Sequence, residues 1–164
     1  MPVQRGFTLI ELLVTITVLG ILLGVGVPAL RDLTANNRMV ALTNEIVSGL
    51  QYARSEAITR NADVWICAVA DAEVAAPACS GTDWSTGWKV FTQVGGAEVI
   101  LRTNEGSSGL QAIGVNSIDF GGDGRASGQV DIRLCDSRGK EYGREINIDM
   151  TGRPRVRKLA EECS

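Results

Sequence analysis

The chain of 164 residues contains no histidine. Because imidazole is the base of most hydrolytic triads and a ligand in most zinc sites, this absence removes the commonest hydrolase and zinc-enzyme arrangements. The one Asp- and Gly-rich segment, Asp119–Gly124, lacks the alternating ligands and the terminal Glu of a calcium loop, so we predict a turn there. No nucleophile-and-base pair is visible either. We therefore expect no catalysis, no metal and no cofactor.

An excess of charge of either sign is also lacking, because 16 Lys and Arg residues stand against 19 Asp and Glu residues, a formal net charge of −3. Bulk charge therefore gives no argument for a nucleic-acid partner. What the sequence does have is an apolar run from Phe7 to near Leu30, about 24 residues or about 36 Å of helix, which is enough to cross a membrane. Arg5 precedes the run, so positive-inside bias places the N-terminus in the cytoplasm and the remainder in the periplasm.

The residues Gly6-Phe7-Thr8-Leu9-Ile10-Glu11-Leu12 resemble the class III signal of type IV pilins and related pseudopilins. The resemblance implies that a prepilin peptidase cleaves between Gly6 and Phe7 and N-methylates Phe7. Residues 1–6 would be a leader, and Glu11 would be the fifth residue of the mature chain. Residues 7–30 would form a retained transmembrane and assembly helix, and residues 31–164 a periplasmic head that includes the amphipathic half of that helix.

Glu11 needs a partner, because a carboxylate at membrane depth costs about 2.5–3.5 kcal/mol on insertion scales. One candidate is the amine of Phe7 in the same chain, four residues back on the same helix face. The other is the Phe7 amine of a neighbouring subunit, which would couple membrane storage to filament assembly. A plain single-pass anchor that carries an unexplained acid is the remaining alternative.

The four cysteines form no CxxC pair, which argues against a zinc ribbon or a thioredoxin-like site; they are Cys67, Cys79, Cys135 and Cys163. In an oxidising periplasm we expect two disulfides, and the sequence allows three pairings. We favour Cys67–Cys79 and Cys135–Cys163, which close short-range loops. Each would stabilise the fold by roughly 3 kcal/mol. Four free buried thiols are the alternative.

The helix is predicted to extend from Phe7 to about Arg60, with a kink at Pro28 because proline removes an amide donor and clashes with the preceding turn. Beyond the kink, apolar residues recur at three- and four-residue steps, which is typical of an amphipathic helix with one core-facing side. The predicted core positions are Met39, Leu42, Ile46, Leu50, Ala53 and Ala57.

After Asn61 the pattern changes to short β-type runs separated by Gly, Ser and Asp. The predicted strands are Asp63–Val69, Gly87–Val94, Glu98–Thr103, Ser117–Phe120, Gln129–Leu134, Arg144–Asp149 and Arg153–Arg157. The predicted loops are Asp71–Ser85, Glu105–Gly114 and Gly121–Gly128. A helix followed by antiparallel strands predicts an α+β fold, with the long N-terminal helix packed under an antiparallel β-sheet head.

Three further segments narrow the resemblance. Tyr52–Ile58, Asp83–Phe91 and Gly152–Arg155 are similar to the GspH/FimT family of minor pilins and pseudopilins, and the four cysteines and the tail are most similar to the FimU/FimT minor pilins. The resemblance spans essentially the whole chain and implies a low-abundance subunit of a priming or tip complex.

In the segment Asp83–Phe91, Trp84 and Trp88 frame a tight turn. We expect them to pack the core, with a subunit-contact patch as the alternative.

The arginines of the C-terminal tail are the candidate binding residues. On an extended strand, Arg153, Arg155 and Arg157 would share one face at roughly 7 Å spacing, and Lys158 and Arg144 could extend the patch. Pro154 cannot donate to a ladder, so this strand is expected at an edge. Arginine forks onto phosphate, and family members with such a tail have been linked to DNA uptake, so the resemblance implies double-stranded DNA as a partner.

The alternative is a solvated basic face, or arginines paired with Glu145, Glu161 and Glu162. From Arg133 to Ser164 eight basic residues stand against six acids, which leaves only +2, and no aromatic platform for bases is visible. Any DNA contact would therefore be electrostatic and independent of sequence.

Three functional hypotheses result. The first is a minor type IV pilin of the bacterial inner membrane that moves to the pilus tip, with other minor pilins, the major pilin, the prepilin peptidase, the inner-membrane assembly platform and the lipid bilayer as partners. The second is a DNA-binding module on that scaffold. The third is a pseudopilin of type II secretion, which has the same anchor but serves protein export.

Overall fold

The computed structural model describes residues 8–71, 78–107 and 109–162. It contains two compact units, Met1–Asn37 and Arg38–Ser164. One long helix, α1, runs from Leu9 to Arg60. The first unit therefore consists of the N-terminal part of α1, and the second contains the rest of α1 and all the strands.

Eight strands follow the helix and form two antiparallel four-stranded sheets. The strands are β1 (Val64–Ala68), β2 (Gly87–Val94), β3 (Ala97–Glu105), β4 (Gln111–Ile113), β5 (Ser117–Phe120), β6 (Val130–Cys135), β7 (Arg144–Ile148) and β8 (Pro154–Lys158). The first sheet has the order β3-β2-β1-β5 and the second β4-β6-β7-β8. A 3-10 helix at Lys140–Tyr142 joins β6 to β7. The predicted α+β class, a long helix with antiparallel strands, is confirmed.

The strands of the head make two sheets, because β4 and β5, which are neighbours in the chain, pair with β6 and with β1 respectively. One of the predicted loops was wrong. The predicted loop Glu105–Gly114 contains β4. Three residues are too few to show the two-residue periodicity of a strand. Pairing with β6 and a bridge between Asp83 and Ile113 hold this segment extended.

The larger core cluster joins the C-terminal half of α1 to residues of both sheets. The six core positions predicted on the helix are all buried. Trp84 and Trp88 are fully buried in the same cluster, which confirms the core interpretation over the contact patch. The Trp84 indole N–H donates to the Val115 carbonyl oxygen at 2.8 Å. The Trp88 ring lies so close to Gly49 that a Cβ there would meet its ring atoms at 2.8 Å.

A second, smaller cluster lies on the other face of β1 and β2, where side chains alternate away from the main core. Trp65 and Phe91 stack there with ring centroids 5.7 Å apart, next to the Cys67–Cys79 disulfide. That half of the predicted pairing is confirmed. Cys135 is disulfide-bonded rather than a free thiol. Cys163 lies outside the described residues, so its pairing stays a prediction.

The contact between Gly49 and Trp88 gives a stability prediction. In a helix, alanine is normally better than glycine by about 1 kcal/mol. Gly49→Ala should nevertheless lower the free energy of unfolding by about 1–3 kcal/mol, because the new methyl overpacks a rigid ring. Urea unfolding of the chain in detergent micelles, followed by tryptophan fluorescence, measures this. Gly128→Ala, where a Cβ meets nothing within 4 Å, is the control, and equal stability of both variants would contradict the prediction.

Candidate assembly and binding surfaces

The carboxylate of Glu11 has a partner in its own chain at the start of α1. The Thr8 amide and the Thr8 hydroxyl each donate to Glu11 Oε2 at 3.0 Å, and the Glu11 amide donates to Thr8 Oγ1 at 3.3 Å. This is a capping box, which satisfies amide donors that a helix start leaves free. Thr followed three residues later by Glu is the sequence signature of such a box. Phe7 and Gly6 lie outside the described residues, so the Phe7 amine remains a predicted partner.

The N-terminal part of α1 exposes its large apolar side chains on every side. Leu9 is 80% exposed, and Leu, Ile and Val residues from there to Leu33 are exposed as well. By length and composition, α1 is the one helix in the described part of the chain that could cross a membrane. An all-round apolar helix belongs in lipid or inside an assembly. Pro28 lies within the helix, and the predicted kink stays a prediction.

Arg153, Arg155 and Arg157 form the arginine row. Arg155 and Arg157 lie on β8, an edge strand of the second sheet as predicted, and Arg153 directly precedes that strand. Arg155 and Arg157 are exposed, at 69% and 57% of their side chains, and both face acids. Arg155 Nη2 is 3.8 Å from Asp149 Oδ2, and Arg157 Nε is 3.9 Å from Glu145 Oε1. These separations are long for ion pairs. The two acids therefore neutralise part of the positive charge of the row without fixing the positions of its side chains.

Glu161 and Glu162, the other two acids named in the solvated-face alternative, form ion pairs with cations outside the arginine row. Glu161 lies 2.7 Å from Arg133, and Glu162 lies 2.7 Å from Lys140. The Glu162 carboxylate accepts a hydrogen bond from Lys140 and raises the pKa of that ammonium group. Of the three acids named in the solvated-face alternative, only Glu145 faces the arginine row.

Lys158 and Arg144 do not extend the row. They lie directly opposite each other in the β7–β8 register. Since successive side chains alternate between the two faces of a strand, Lys158 points to the opposite face from Arg157, and Arg144 shares that face. The tail therefore carries two separate groups of cations, one on each side of β8.

A turn before β8 positions the start of the strand. Gly152 has φ +73° and donates its amide to the Asp149 carbonyl oxygen at 2.9 Å. A Cβ on Gly152 would lie 2.3 Å from the Gly124 carbonyl oxygen, so only glycine fits. The same oxygen accepts a hydrogen bond from Arg54 Nε at 2.8 Å, which ties α1 to both turns. Arg54 was not singled out from the sequence, because its role depends on tertiary contacts.

The Asp149 carboxylate stabilises this turn through hydrogen bonds with Thr151. It accepts hydrogen bonds from the Thr151 hydroxyl and, at 2.9 Å, from the Thr151 amide. The Thr151 hydroxyl, followed by its amide and the Arg155 guanidinium, lowers the pKa of Asp149 below its ordinary value. Elsewhere in the described residues, no group of three or more His, Cys, Asp or Glu side chains could hold a metal ion.

Comparison with known proteins agrees with this geometry. The family model described as type II transport protein GspH matches residues 42–152. The chain belongs to the GspH family. The prokaryotic N-terminal methylation motif matches residues 1–27 of this GspH-family chain, which agrees with the resemblance found in Gly6–Leu12.

Two crystal forms of the type IV minor pilin FimU from Pseudomonas aeruginosa share the fold. In space group P21 the TM-score is 0.62 at 24% identity, covering 80% of this chain and 97% of that one. In space group P65 the TM-score is 0.59 at 23% identity, covering 76% and 96%. At these identities the likeness establishes the type IV pilin fold of this GspH-family chain.

Matches to curated pilins are shorter. A fimbrial protein of Pseudomonas aeruginosa is 36% identical over 64 residues, 39% of this chain and 41% of the relative. A type IV major alpha-pilin of Moraxella bovis is 37% identical over 49 residues, 30% of this chain and 31% of the relative. The chain thus matches about two fifths or less of the length of these relatives.

Thr151→Val should raise the pKa of Asp149 towards its ordinary value of about 4, because the hydroxyl donor is lost. A carboxyl whose folded pKa is lowered stabilises the fold above its unfolded pKa, and this stabilisation disappears as pH falls through the folded pKa. The variant should therefore lose part of the stability that wild type gains as pH rises from acid to neutral. NMR titration of the Asp149 side-chain carbon measures the pKa.

Thr103→Val replaces an exposed threonine of β3 and is the control for this titration. It should leave the Asp149 titration where it is in wild type. An unchanged Asp149 titration in Thr151→Val would show that the hydroxyl does not hold the carboxylate.

Proposed function

We propose that this GspH-family chain is a minor type IV pilin. It is stored in the bacterial inner membrane with its head in the periplasm, and it enters the pilus tip, where it primes assembly. The observation that carries the proposal is the N-terminal methylation motif on a helix with an all-round exposed apolar surface. Such a helix has no core of its own chain to fill, so lipid and then neighbouring helices are its natural surroundings.

Cleavage by a prepilin peptidase between Gly6 and Phe7 would release a charged amine at the start of the helix. While the subunit is stored in lipid, the Thr8 cap reduces the cost of burying Glu11, because it satisfies one carboxylate oxygen. During assembly, the Phe7 amine of a neighbouring minor or major pilin provides an opposite charge. In a low-dielectric surrounding that attraction is stronger than in water, so it can select the docking register at the assembly platform.

A pseudopilin role in type II secretion uses the same anchor and head. It is favoured by the description of the matching family, type II transport protein GspH. The fold of FimU and the matches to fimbrial proteins favour the pilus. Deletion of the gene separates the two: loss of surface pili with normal export supports the pilin, and blocked export with normal piliation supports the pseudopilin.

Glu11→Val should leave peptidase processing intact and keep the subunit out of sheared pili, because the docking charge is gone. Immunoblots of the membrane and of the sheared pilus fraction measure processing and incorporation. Thr17→Val, which removes a hydroxyl that bonds only to its own helix at Leu13, is the matched control and should be incorporated normally. Normal incorporation of Glu11→Val would refute the docking role.

DNA capture is a second candidate function, favoured by the exposure of the arginine row. Arg155 and Arg157 are more than half exposed, and the Arg153 side chain makes no ion pair with any described residue. The contacts of Arg155 with Asp149 and of Arg157 with Glu145 weaken this candidate, since each acid repels a phosphate that approaches its arginine.

Replacement of Arg153, Arg155 and Arg157 by glutamine together should reduce retention of a DNA duplex at low salt, by about tenfold if three phosphate contacts are lost. Mobility-shift titration of the purified chain at two salt concentrations measures the loss and its salt dependence. Replacement of Arg31 and Arg38 by glutamine is the control, because both are exposed on the helix. This variant shows the effect of removing positive charge outside the arginine row. Unchanged DNA retention by the triple variant would exclude this function for the row.

A further inference from the structure

The side of α1 that carries Glu11 is polar over its first two turns, although the helix around it is apolar. A helix turns by about 100° per residue, so Glu11 and Thr15, which are four residues apart, point in directions that differ by about 40°. Thr8, seven residues before Thr15, lies on the same side. All three side chains are exposed. They form one polar surface at the start of the helix, which we call the Glu11 face.

One oxygen of the Glu11 carboxylate is occupied, and the other is available. Both donors of Thr8, its amide and its hydroxyl, bond to Oε2. Within residues 8–71, 78–107 and 109–162, nothing donates to Oε1, so this oxygen can still accept a hydrogen bond. A carboxylate in apolar surroundings is stabilised most by a donor that is itself positively charged. The free oxygen is therefore a place for a cationic N–H group.

Thr15 offers a second acceptor beside that oxygen. Its hydroxyl donates its one proton to the Leu12 carbonyl oxygen at 2.8 Å. The lone pairs of the hydroxyl are left to accept, because none of the described residues donates to them. The Cβ atoms of residues four apart on a helix are separated by about 5–6 Å. One nitrogen atom with two hydrogen bonds of about 3 Å can bridge that gap between Thr15 and Glu11.

Beyond Thr15, the same side of the helix becomes apolar. Val18 and Leu22 follow at three- and four-residue steps, and they are 49% and 64% exposed. An occupant that fits the whole surface has a cationic end with at least two N–H groups and an apolar body that lies along the helix. The cleaved N-terminus of another pilin has both, because cleavage releases an amine directly before an apolar helix.

We propose that Thr15 is a docking residue of this chain. Its hydroxyl and Glu11 Oε1 together bind the N-terminal amine of a neighbouring pilin, and Val18 and Leu22 cover the start of that neighbour's helix. The inference rests on the pilin function proposed above and adds a second residue to the binding site of the amine. The carboxylate supplies the attraction, which acts from any direction, whereas two acceptors together fix one position for the nitrogen.

The chain offers a matched pair of threonines for the test. Thr15 and Thr17 are both exposed in the apolar part of α1, and each hydroxyl donates to a carbonyl oxygen of its own helix. Thr17, six residues after Glu11, points about 120° away from it. Valine keeps the branched shape of threonine and removes only the hydroxyl, so the same substitution should affect the helix equally at both positions.

Thr15→Val should lower the amount of the chain in sheared pili, relative to the amount in the membrane, by about three- to tenfold, which corresponds to one hydrogen bond between membrane helices. Thr17→Val should leave this ratio at the wild-type value. Thr15→Ser keeps the hydroxyl and should restore the ratio. Quantitative immunoblots of the two fractions measure it, and the electrophoretic mobility of the membrane form checks that all variants are processed equally.

Equal ratios for Thr15→Val and Thr17→Val would overturn the role of Thr15. A loss in Thr15→Ser as large as that in Thr15→Val would also overturn it, since the shape of the side chain rather than its hydroxyl would then matter. If Glu11→Val is kept out of pili while Thr15→Val enters normally, this inference fails and the pilin function stands. If the wild-type chain is absent from sheared pili, the pilin function fails, and this inference fails with it.

Discussion

The burial of one apolar stripe of α1 against two sheets is the interaction on which the rest of the head depends. Each large aliphatic side chain buried there contributes about 1.5–3 kcal/mol, and the stripe continues from Met39 to Ala57. Neither four-stranded sheet could cover its own apolar face without the helix. The close approach of Gly49 to Trp88 shows how tightly the helix sits, because no side chain fits between them.

The two parts of α1 differ in where their apolar side chains lie, and this difference links the structure of the chain to its proposed function. In the head, apolar residues occupy one face and the opposite face is polar. In the N-terminal part, apolar residues occupy every face of the helix. A sheet packed against one face would therefore leave the apolar side chains of the other faces exposed to water. A single continuous helix therefore couples a folded head to a segment that needs lipid or other helices. The capping box at Thr8 and Glu11 allows an acid to stand at the start of such a segment.

Periodicity made the helix and seven of the eight strands predictable, because the helical and strand repeats are properties of the sequence itself. It also placed the core residues of α1 correctly. The strand β4 was missed because its extended shape comes from pairing with β6 rather than from its own three residues. The grouping of Lys158 with Arg157 failed for a simple reason: neighbours on a strand point to opposite faces. The contribution of Arg54 could not be read from sequence, since it reaches Gly124 across about seventy residues.

The two faces of β8 differ in how their positive charge is balanced, and this difference bears on what the tail can bind. On the outer face, Asp149 and Glu145 stand near Arg155 and Arg157 at close to 4 Å. A phosphate approaching there must compete with carboxylates that are already in place. On the opposite face, Lys158 and Arg144 make no ion pair with any described residue. Net charge over the tail is the same in either arrangement, but among the described residues of β7 and β8 only the second face carries cations with no carboxylate within ion-pair distance.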